Sequence, residues 1–399
     1  MTSGYPAGIT ITPLVHFPHL QSAVPFRPVR SSLGPVPGGR AGPPRGNGQQ
    51  LIREAAGSGI AKSTRSHTIG QLQENAVNEE ISKYPQTVVI TGGNSGLGYE
   101  CAKTLLSASD ATWHVILACR DANRAQAAVD QLTADGAAAG RVEAMSLDLA
   151  SLASIRAFAA DLTNMLSVKV IPPLHAIVCN AGVNPGPTLS TTADGFESTF
   201  GVNHLGHFLL VNELLPALQL PGRVVVVASG VHDPAQKAGV PLPAWNDPSA
   251  LARGELGAAA ASDGSLPAGQ RRYSTSKLAN IYFTYALARR LPEGVTANAF
   301  DPGLMPGTGL FRNTPAPFRF IMNKVMPHAI PLLRRVYSPN IHTPQESGAA
   351  LAHLVADPEL AAISGGYFEG RRQIRSSDES YSDERAEELW SASLALTER

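Results

Sequence analysis

The sequence is poor in several features that would otherwise assign it to a class. Its three cysteines, Cys101, Cys119 and Cys179, form no C-x-x-C pair, and the odd number argues against a disulfide framework and for a reducing compartment. Lys+Arg and Asp+Glu both number 32 in 399 residues, so the charge gives no reason to expect a nucleic-acid partner. No apolar run approaches the roughly 20 residues that span a bilayer. The hydrophobic fraction of 43% is nevertheless ample for a buried core.

Acidic residues are scarce in the first part of the chain. Nine prolines fall before residue 45, and residues 1–73 contain seven basic residues but a single acid, Glu54. That density of proline is incompatible with a sustained helix or strand. Two interpretations of residues 1–83 stay open: a disordered tail, or an organelle transit peptide, which is typically basic and poor in acids. The expected location is the cytoplasm or, with a transit peptide, a chloroplast or mitochondrion.

The remainder, residues 84–399, alternates between two patterns. Short apolar runs of strand length lie at 87–91, 114–118, 142–147, 176–179, 224–228 and 295–300. Helical patterns lie between them, for example over 98–107 and 122–134. This alternation predicts an α/β fold of the Rossmann type, a doubly wound parallel sheet with helices on both faces in a single domain.

A glycine-rich loop, T-G-G-N-S-G-L-G at residues 91–98, follows the first predicted strand and opens a helix. Glycines let the backbone approach a pyrophosphate, and the helix N-terminus adds free N–H groups and a positive partial charge. The spacing is G-x-x-x-G-x-G, so a plain turn remains an alternative. The candidate cofactor-binding residues are Gly92, Asn94, Ser95, Gly96, Leu97 and Gly98.

Two further positions bear on the cofactor. The second strand ends in Cys119-Arg120, where NAD-preferring folds carry an acid, and a guanidinium can pair with a 2′-phosphate. Arg120 therefore favours NADP(H), although a surface arginine is the alternative and Asp121 follows directly. After the third strand, Asp148, followed by Leu149, is interpreted either as an acceptor for the adenine amino group or as a helix N-cap.

Tyr273 and Lys277 are four residues apart, which places both on one face of a helix. An ammonium close to a phenol is expected to lower the phenol pKa from about 10 toward the working pH. A phenol tuned in this way can exchange a proton with a carbonyl oxygen.

With these motifs in order, the chain resembles the short-chain dehydrogenase/reductase family from about Val88 to Phe368. The motifs are T-G-G-N-S-G-L-G, Asp148, N-A-G at 180–182, Asn203, Ser229, Y-x-x-x-K at 273–277 and P-G at 302–303. The resemblance implies that Tyr273 donates the proton in reduction and that Lys277 holds the nicotinamide ribose. It further implies that Ser229 hydrogen-bonds the substrate oxygen and that Asn203 holds a water for proton relay.

The resemblance also implies roles in cofactor binding for other residues. These are Asn180, Ala181 and Gly182 at the sheet end, Pro302 and Gly303 at the nicotinamide pocket, and Thr308 on the carboxamide or a phosphate. No metal is expected, because His204 and His207 have no third ligand nearby and are interpreted as a packed pair.

The segment between Ser229 and Tyr273 is long for this family, which indicates an insertion at about 231–272. With it the chain resembles the branch of light-dependent protochlorophyllide reductase and retinol dehydrogenase-like reductases. It departs from the pigment reductase at Leu304, where that enzyme has Cys, and at Ser229, where it has Thr. The expected function is NADP(H)-dependent hydride transfer to or from a lipophilic carbonyl or alcohol. Protochlorophyllide photoreduction and a catalytically silent NADP(H)-binding scaffold or sensor are the alternatives.

Residues 304–340 fall where the family places its substrate lid. Within them, 318–337 is apolar and basic, which is typical of a cover for a lipophilic substrate or of contact with a membrane surface. An ordinary helix packed on the core is the alternative. Family members are often homo-oligomers, but the insertion could block the usual interface.

Overall fold

The computed structural model describes residues 86–108, 113–137, 140–184, 188–236, 238–257, 266–308 and 316–398. All of them belong to one compact unit. The predicted tail or transit peptide at 1–83 lies outside the described residues. In the described part of the chain, no helix combines the length and apolar character that crossing a membrane requires.

An eight-stranded sheet forms the centre of the described residues. Its strands are β1 (Gln86–Thr91), β2 (Trp113–Cys119), β3 (Val142–Ser146), β4 (Leu174–Cys179), β5 (Leu218–Val227), β6 (Val295–Asp301), β7 (Tyr367–Glu369) and β8 (Arg372–Ile374). The order is β3-β2-β1-β4-β5-β6-β7-β8; β1 to β7 are parallel, and β8 is antiparallel to β7. This arrangement confirms the predicted Rossmann-type fold.

Helices cover both faces of the sheet. They are α1 (Gly96–Leu106), α2 (Ala122–Ala134), α3 (Leu152–Ser167), α4 (Ser198–Phe200), α5 (Gly206–Leu214), α6 (Pro248–Ala252), α7 (Leu266–Ala288), α8 (Ala316–Phe320), α9 (Ile330–Val336), α10 (Pro344–Ala356) and α11 (Asp383–Thr397). A π-helical segment, Gly201–Leu205, joins α4 to α5 without a break.

The core lies in two layers, one on each side of the sheet. Phe158, Phe208 and Phe283 belong to the layer formed by α3, α5, α7 and α11. Leu105 and Leu351 belong to the layer formed by α1, α2 and α10. Strands covered on both faces are mostly apolar, which is why they appear in the sequence as nearly continuous runs rather than as alternating patterns.

Helix α7 is buried on nearly every side of its middle section, including Leu278, Ile281 and Tyr282. The C-terminal helix α11 packs across it, and the Trp390 ring stacks on that of Phe283 of α7, with 6.2 Å between the ring centres. A helix that is buried on nearly every side needs packing partners on each of those sides. The C-terminal helix thus helps to hold in place the helix that carries Tyr273.

Some elements differ from the sequence-based expectation. Strands β7 and β8 were not predicted, because three residues are too few to show a period. Within the predicted insertion at about 231–272, α6 forms and α7 begins at Leu266; the bounds of the insertion stay a prediction.

Candidate active site

The candidate residues gather at the carboxyl edge of the sheet. Thr91 ends β1, Asn180 follows β4, Ser229 lies just beyond β5, and Asp301 ends β6. Because these strands are parallel, their ends meet at one edge, where ligands bind in open α/β sheets.

The glycine-rich loop has the geometry of a phosphate cradle. Gly92 has φ +64°, and a Cβ on Gly98 would lie 2.5 Å from Asn180 Nδ2, so both positions require glycine. Ser95 is the N-cap of α1, its side chain makes no capping hydrogen bond, and the first turn carries no acid. A Cβ on Gly96 would meet nothing within 4 Å. The loop therefore presents uncapped N–H groups to open space, an arrangement that fits a pyrophosphate.

At the end of β2, Arg120 is exposed directly after the buried Cys119. Burial raises the pKa of the Cys119 thiol, which keeps it protonated. Asp121 Oδ1 accepts a hydrogen bond of 3.0 Å from Arg124 N and caps α2. The Asp121 carboxylate is therefore engaged at a helix terminus, and the side chains of Arg120 and Arg124 are both exposed here.

Asp148 does not cap the helix that follows it. The N-cap of α3 is Ser151, and Asp148 Oδ1 accepts from Ala150 N at 3.0 Å, closing a turn. The N-cap interpretation of Asp148 was therefore wrong. Its neighbour Leu149 is buried, and its carbonyl oxygen lies 2.6 Å from where a Cβ on Gly206 would be. Asp148 is partly exposed, which leaves its second oxygen open to a ligand.

Thr91 joins the cofactor loop to the end of β4. Its hydroxyl oxygen accepts hydrogen bonds of 2.9 Å from the backbone N–H of both Asn180 and Ala181. The Asn180 amide in turn donates to Thr91 O at 2.7 Å. Asn180 and Ala181 therefore brace the glycine loop from behind, while Gly182 is exposed toward the pocket.

His207 completes that bracing from the helix side. Its Nδ1 donates to Asn203 O at 3.1 Å, so Nε2 accepts from the Thr91 hydroxyl at 2.9 Å. Burial lowers the pKa of His207 to about 4, which keeps the ring neutral. His204 Nε2 lies 2.9 Å from Ser393 Oγ on α11. Both histidines thus have the packed, hydrogen-bonded environment that was predicted for them.

Asn203 lies in the π-helical segment and is fully buried. Its Oδ1 accepts from Val183 N at 2.8 Å, and its Nδ2 donates to Val183 O and to Ser276 Oγ. The side chain therefore links the segment after β4 to α7, next to Gly182. Its role in holding a relay water stays a prediction.

Tyr273 and Lys277 lie together on α7, as their spacing predicted. Lys277 Nζ is 5.6 Å from the centre of the Tyr273 ring and donates to Val227 O at 2.9 Å. Asn280 Nδ2 donates to the same carbonyl at 3.1 Å. The ammonium is therefore anchored to the end of β5, two residues before Ser229.

The expected effect of Lys277 on the phenol is not observed. Burial, together with the carboxylate of Asp301, raises the pKa of Tyr273 above its usual value. Burial lowers the pKa of Lys277 to about 8, although Asp301 opposes this. The prediction of a lowered phenol pKa was therefore wrong for the polypeptide by itself, because desolvation outweighs one neighbouring ammonium.

Ser229 is partly buried at the end of β5 and begins the 3₁₀ turn Gly230–His232. Its hydroxyl is 3.5 Å from Val231 N, a long contact that leaves the group free to bond elsewhere. Its carbonyl accepts from His232 Nδ1 at 2.8 Å. The backbone is held while the hydroxyl remains able to turn toward a substrate oxygen.

The Pro302-Gly303 turn is tightly enclosed. Gly303 has φ +72°, and a Cβ there would collide with Asn340. Pro302 O accepts from Ser347 Oγ at 2.7 Å. Thr308 is buried and donates its hydroxyl proton to Met305 O at 3.0 Å, so its oxygen can still accept. These contacts hold the loop that the family places beside the nicotinamide.

A buried ion pair supports the helix next to Tyr273. Arg272 Nε lies 3.6 Å from Glu197 Oε1, and both side chains are almost fully buried. Glu197 also accepts from Thr199 N and Phe200 N, which caps α4. The pair therefore joins α7 to the helix that leads into the segment containing Asn203.

Sequence reasoning missed three features of this site: Asp301, the link through His207, and the ion pair between Arg272 and Glu197. An acid that ends an apolar strand was a usable signal for Asp301. The i,i+4 spacing of Asn203 and His207 was a usable signal for the second. No sequence signal pairs residues 197 and 272.

Comparison with known proteins agrees with this geometry. A family model described as short chain dehydrogenase matches residues 86–240. The human WW domain-containing oxidoreductase is 36% identical over 317 residues, which cover 79% of this chain and 67% of the relative. The chain belongs to the short-chain dehydrogenase/reductase family. That membership confirms the resemblance drawn from the motifs and makes this chain an oxidoreductase with a nicotinamide cofactor.

Other relatives of this reductase fall in the branch that the insertion suggested. Protochlorophyllide reductase B of Hordeum vulgare is 36% identical over 326 residues, covering 77% of this chain and 78% of the relative. Human retinol dehydrogenase 12 is 34% identical over 316 residues, covering 78% and 86%. A solved structure from Mycobacterium paratuberculosis, titled as a putative uncharacterized protein, has a TM-score of 0.52 at 27% identity and covers 80% of this chain and 97% of its own.

Proposed function

We propose that this reductase transfers a hydride between NADP(H) and a lipophilic carbonyl or alcohol, with Tyr273 as the acid and base. The observation that carries the proposal is the position of Lys277, whose ammonium lies 5.6 Å from the centre of the Tyr273 ring and donates to Val227 O, two residues before Ser229. The uncapped glycine loop lies at the same edge of the sheet. Arg120, exposed at the end of β2, supports the choice of NADP(H) over NAD(H).

Each end of the site has a separate task. The loop around Gly96 and the N-terminus of α1 bind the pyrophosphate, and Arg120 binds the 2′-phosphate. The bound cofactor supplies or accepts the hydride. Ser229 Oγ hydrogen-bonds the substrate oxygen, and Tyr273 gives that oxygen a proton as negative charge develops on it. Lys277 stabilises the phenolate that remains and holds the nicotinamide ribose.

The pKa of the phenol suits the direction of reduction. Because burial and Asp301 raise the pKa of Tyr273, the phenol is protonated through neutral and mildly alkaline pH. A proton donor must carry its proton when the substrate binds, and Tyr273 meets that condition. Oxidation of an alcohol needs the phenolate instead and is therefore expected to be favoured only at higher pH.

The surface of the predicted lid is evidence for a lipophilic substrate that arrives from an anionic membrane surface. Six of the thirteen exposed large hydrophobic residues among the described residues lie there: Phe320, Ile321, Val325, Leu332, Val336 and Tyr337. Residues 316–337 contain no acid, while Lys324 and Arg335 are exposed. Exposed apolar side chains interspersed with cations suit contact with anionic lipid.

Protochlorophyllide photoreduction is the second candidate, and the identity of 36% to the barley enzyme favours it. Leu304 and Ser229, which differ from the pigment reductase, favour a dark reaction. A catalytically silent NADP(H)-binding protein is the third candidate, and the presence of Ser229, Tyr273 and Lys277 together argues against it.

The test is a panel of retinal-like aldehydes, steroids, quinones and protochlorophyllide, each incubated with NADPH or NADH in light and in darkness. We expect turnover of at least one apolar carbonyl in darkness, with NADPH preferred. Turnover of protochlorophyllide alone, and only in light, would replace the proposal with the second candidate. Tight NADPH binding with no turnover of any compound would favour the third.

A further inference from the structure

Asp301 is a buried carboxylate that the mechanism above does not use. It is the last residue of β6 and is 1% exposed. The backbone N–H of Ala228 bonds to Phe300 O at 2.8 Å, so Asp301 lies beside the strand end that carries Ser229. A buried charge in this place is costly unless it interacts favourably with its surroundings.

Both oxygens of Asp301 are held by neutral donors. Oδ1 accepts from Gly303 N at 3.0 Å, and Oδ2 accepts from Asn340 Nδ2 at 2.9 Å. A Cβ on Gly230 would lie 2.9 Å from Oδ2, so the carboxylate also abuts the turn after Ser229. These contacts fix the position of the charge but do not neutralise it.

Lys277 carries a buried positive charge that also needs a partner of opposite charge. Its ammonium is buried, with the side chain 4% exposed, and it donates to the carbonyl of Val227. A carbonyl dipole compensates an ammonium only partly, so the charged form needs a negative partner within range. Asp301, at the end of the neighbouring strand, raises the pKa of Lys277 and that of Tyr273.

The two histidines and the tyrosine closest to this carboxylate are neutral near pH 7. Burial lowers the pKa of His232 and of His342, and burial raises that of Tyr367. Glu369 faces His342 and Tyr367 but is paired with Arg372 at 3.0 Å. On the other side of Lys277, His207 is neutral as well. Arg334 contacts His342 but is paired with Glu346, so Lys277 is the buried cation of this set that balances Asp301.

We propose that Asp301 is a positioning residue for the Tyr273–Lys277 pair: its buried charge keeps Lys277 protonated and sets the pH range in which Tyr273 exchanges its proton. This inference rests on the proposed acid–base role of Tyr273. It also explains how a lysine with so little solvent remains an ammonium while the reductase works. Asp301 acts through space, across the end of the sheet, and need not touch the substrate.

The test compares Asp301→Asn with Asn340→Ser. The first removes the charge and keeps the shape; the second removes a hydrogen bond to Asp301 and keeps the charge. In the reduction direction, activity falls as pH rises through the pKa of Tyr273. We expect Asp301→Asn to move this alkaline limb of kcat/KM about one pH unit lower. Asn340→Ser should lower the melting temperature and leave the limb in place.

A limb that stays within about 0.2 unit in Asp301→Asn, or that moves equally in both variants, overturns the proposal. Asp301→Ser tests the same loss of charge where the amide disturbs the fold. Ultraviolet titration of the phenolates, taken as the difference between each protein and its Tyr273→Phe counterpart, reports the Tyr273 pKa without any substrate. Failure of the proposed function therefore leaves this test intact: the phenol titration would still shift in Asp301→Asn.

Discussion

The carboxyl edge of the sheet and the predicted lid (residues 304–340) differ in how far their side chains are buried. At the edge, Thr91, Asn203 and Asp301 are buried, and each makes at least two side-chain hydrogen bonds to other elements. In the lid, Phe320 and Leu332 are each 62% exposed. The lid is nevertheless tied at both ends, because Gly307 N bonds to Met322 O and Arg334 bonds to Ile341 O.

The difference corresponds to two requirements of a reductase. Proton and hydride transfer need atoms held within a fraction of an ångström, which buried and fully bonded side chains provide. Admission of a bulky apolar substrate needs a surface that can rearrange, and such surfaces have few buried contacts. Substitutions at the edge should therefore alter chemistry or stability, whereas substitutions in the lid should alter access.

The largest effect is expected at Tyr273. Tyr273→Phe removes the proton donor and leaves the ring, so we expect turnover to fall about 10²- to 10⁴-fold with cofactor binding retained. Steady-state kinetics and NADPH fluorescence titration measure the two quantities. Tyr285→Phe is the matched control, since it lies on the same helix and its hydroxyl bonds to Ser376. Equal turnover in wild type and Tyr273→Phe would exclude this acid.

The next largest effect is expected on the free energy of unfolding, at the buried ion pair between Arg272 and Glu197. Arg272→Met leaves Glu197 buried without its cation, and we expect the free energy of unfolding to fall by about 3–5 kcal/mol. Chemical denaturation measures this. The control is Arg253→Met, which breaks an exposed pair with Glu255 and should change nothing measurable. A loss no larger than in the control would mean that the pair does not brace α7.

A smaller effect is expected at the cofactor end. Arg120→Ser should weaken NADPH binding about 10- to 100-fold, because a charge-assisted pair with the 2′-phosphate is lost, while NADH binding stays unchanged. Calorimetric titration with both cofactors checks this. Arg372→Ser, on the far edge strand, is the control. Parallel losses for NADPH and NADH would contradict the assigned contact with the 2′-phosphate.

The smallest effect is expected in the lid. The double variant Phe320→Ser/Leu332→Ser should bind vesicles containing anionic lipid about tenfold more weakly or worse, since apolar area is lost from the contact surface. The melting temperature should hardly change, because both side chains are exposed. Val168→Ser, which is 60% exposed but outside the lid, is the control. Vesicle sedimentation in which all three proteins behave alike would remove the membrane from the proposal.

Much of this could be predicted because local chemistry and short spacings carry it. The β1–loop–α1 unit and the Y-x-x-x-K pair are each encoded within a few residues, whereas the order of the strands in the sheet appears only in the structure. Strands β7 and β8 could not be predicted, because each is only three residues long and forms by pairing with a distant edge. The prediction that the pKa of Tyr273 is lowered failed for a similar reason, because burial, which raises this pKa, is a property of the assembled core.

By itself, the sequence determined the fold class and indicated a candidate phosphate-binding loop and a candidate acid, lysine and serine, because backbone freedom, periodicity and side-chain chemistry are local. Only the tertiary structure decided the ionisation of those groups. It brought the Asp301 carboxylate at the end of β6 close to α7 and packed α11 against α7. It also buried His207 between Thr91 and Asn203, which keeps the imidazole neutral. Desolvation and charge act through space, and the distances that govern them exist only once distant segments have packed together.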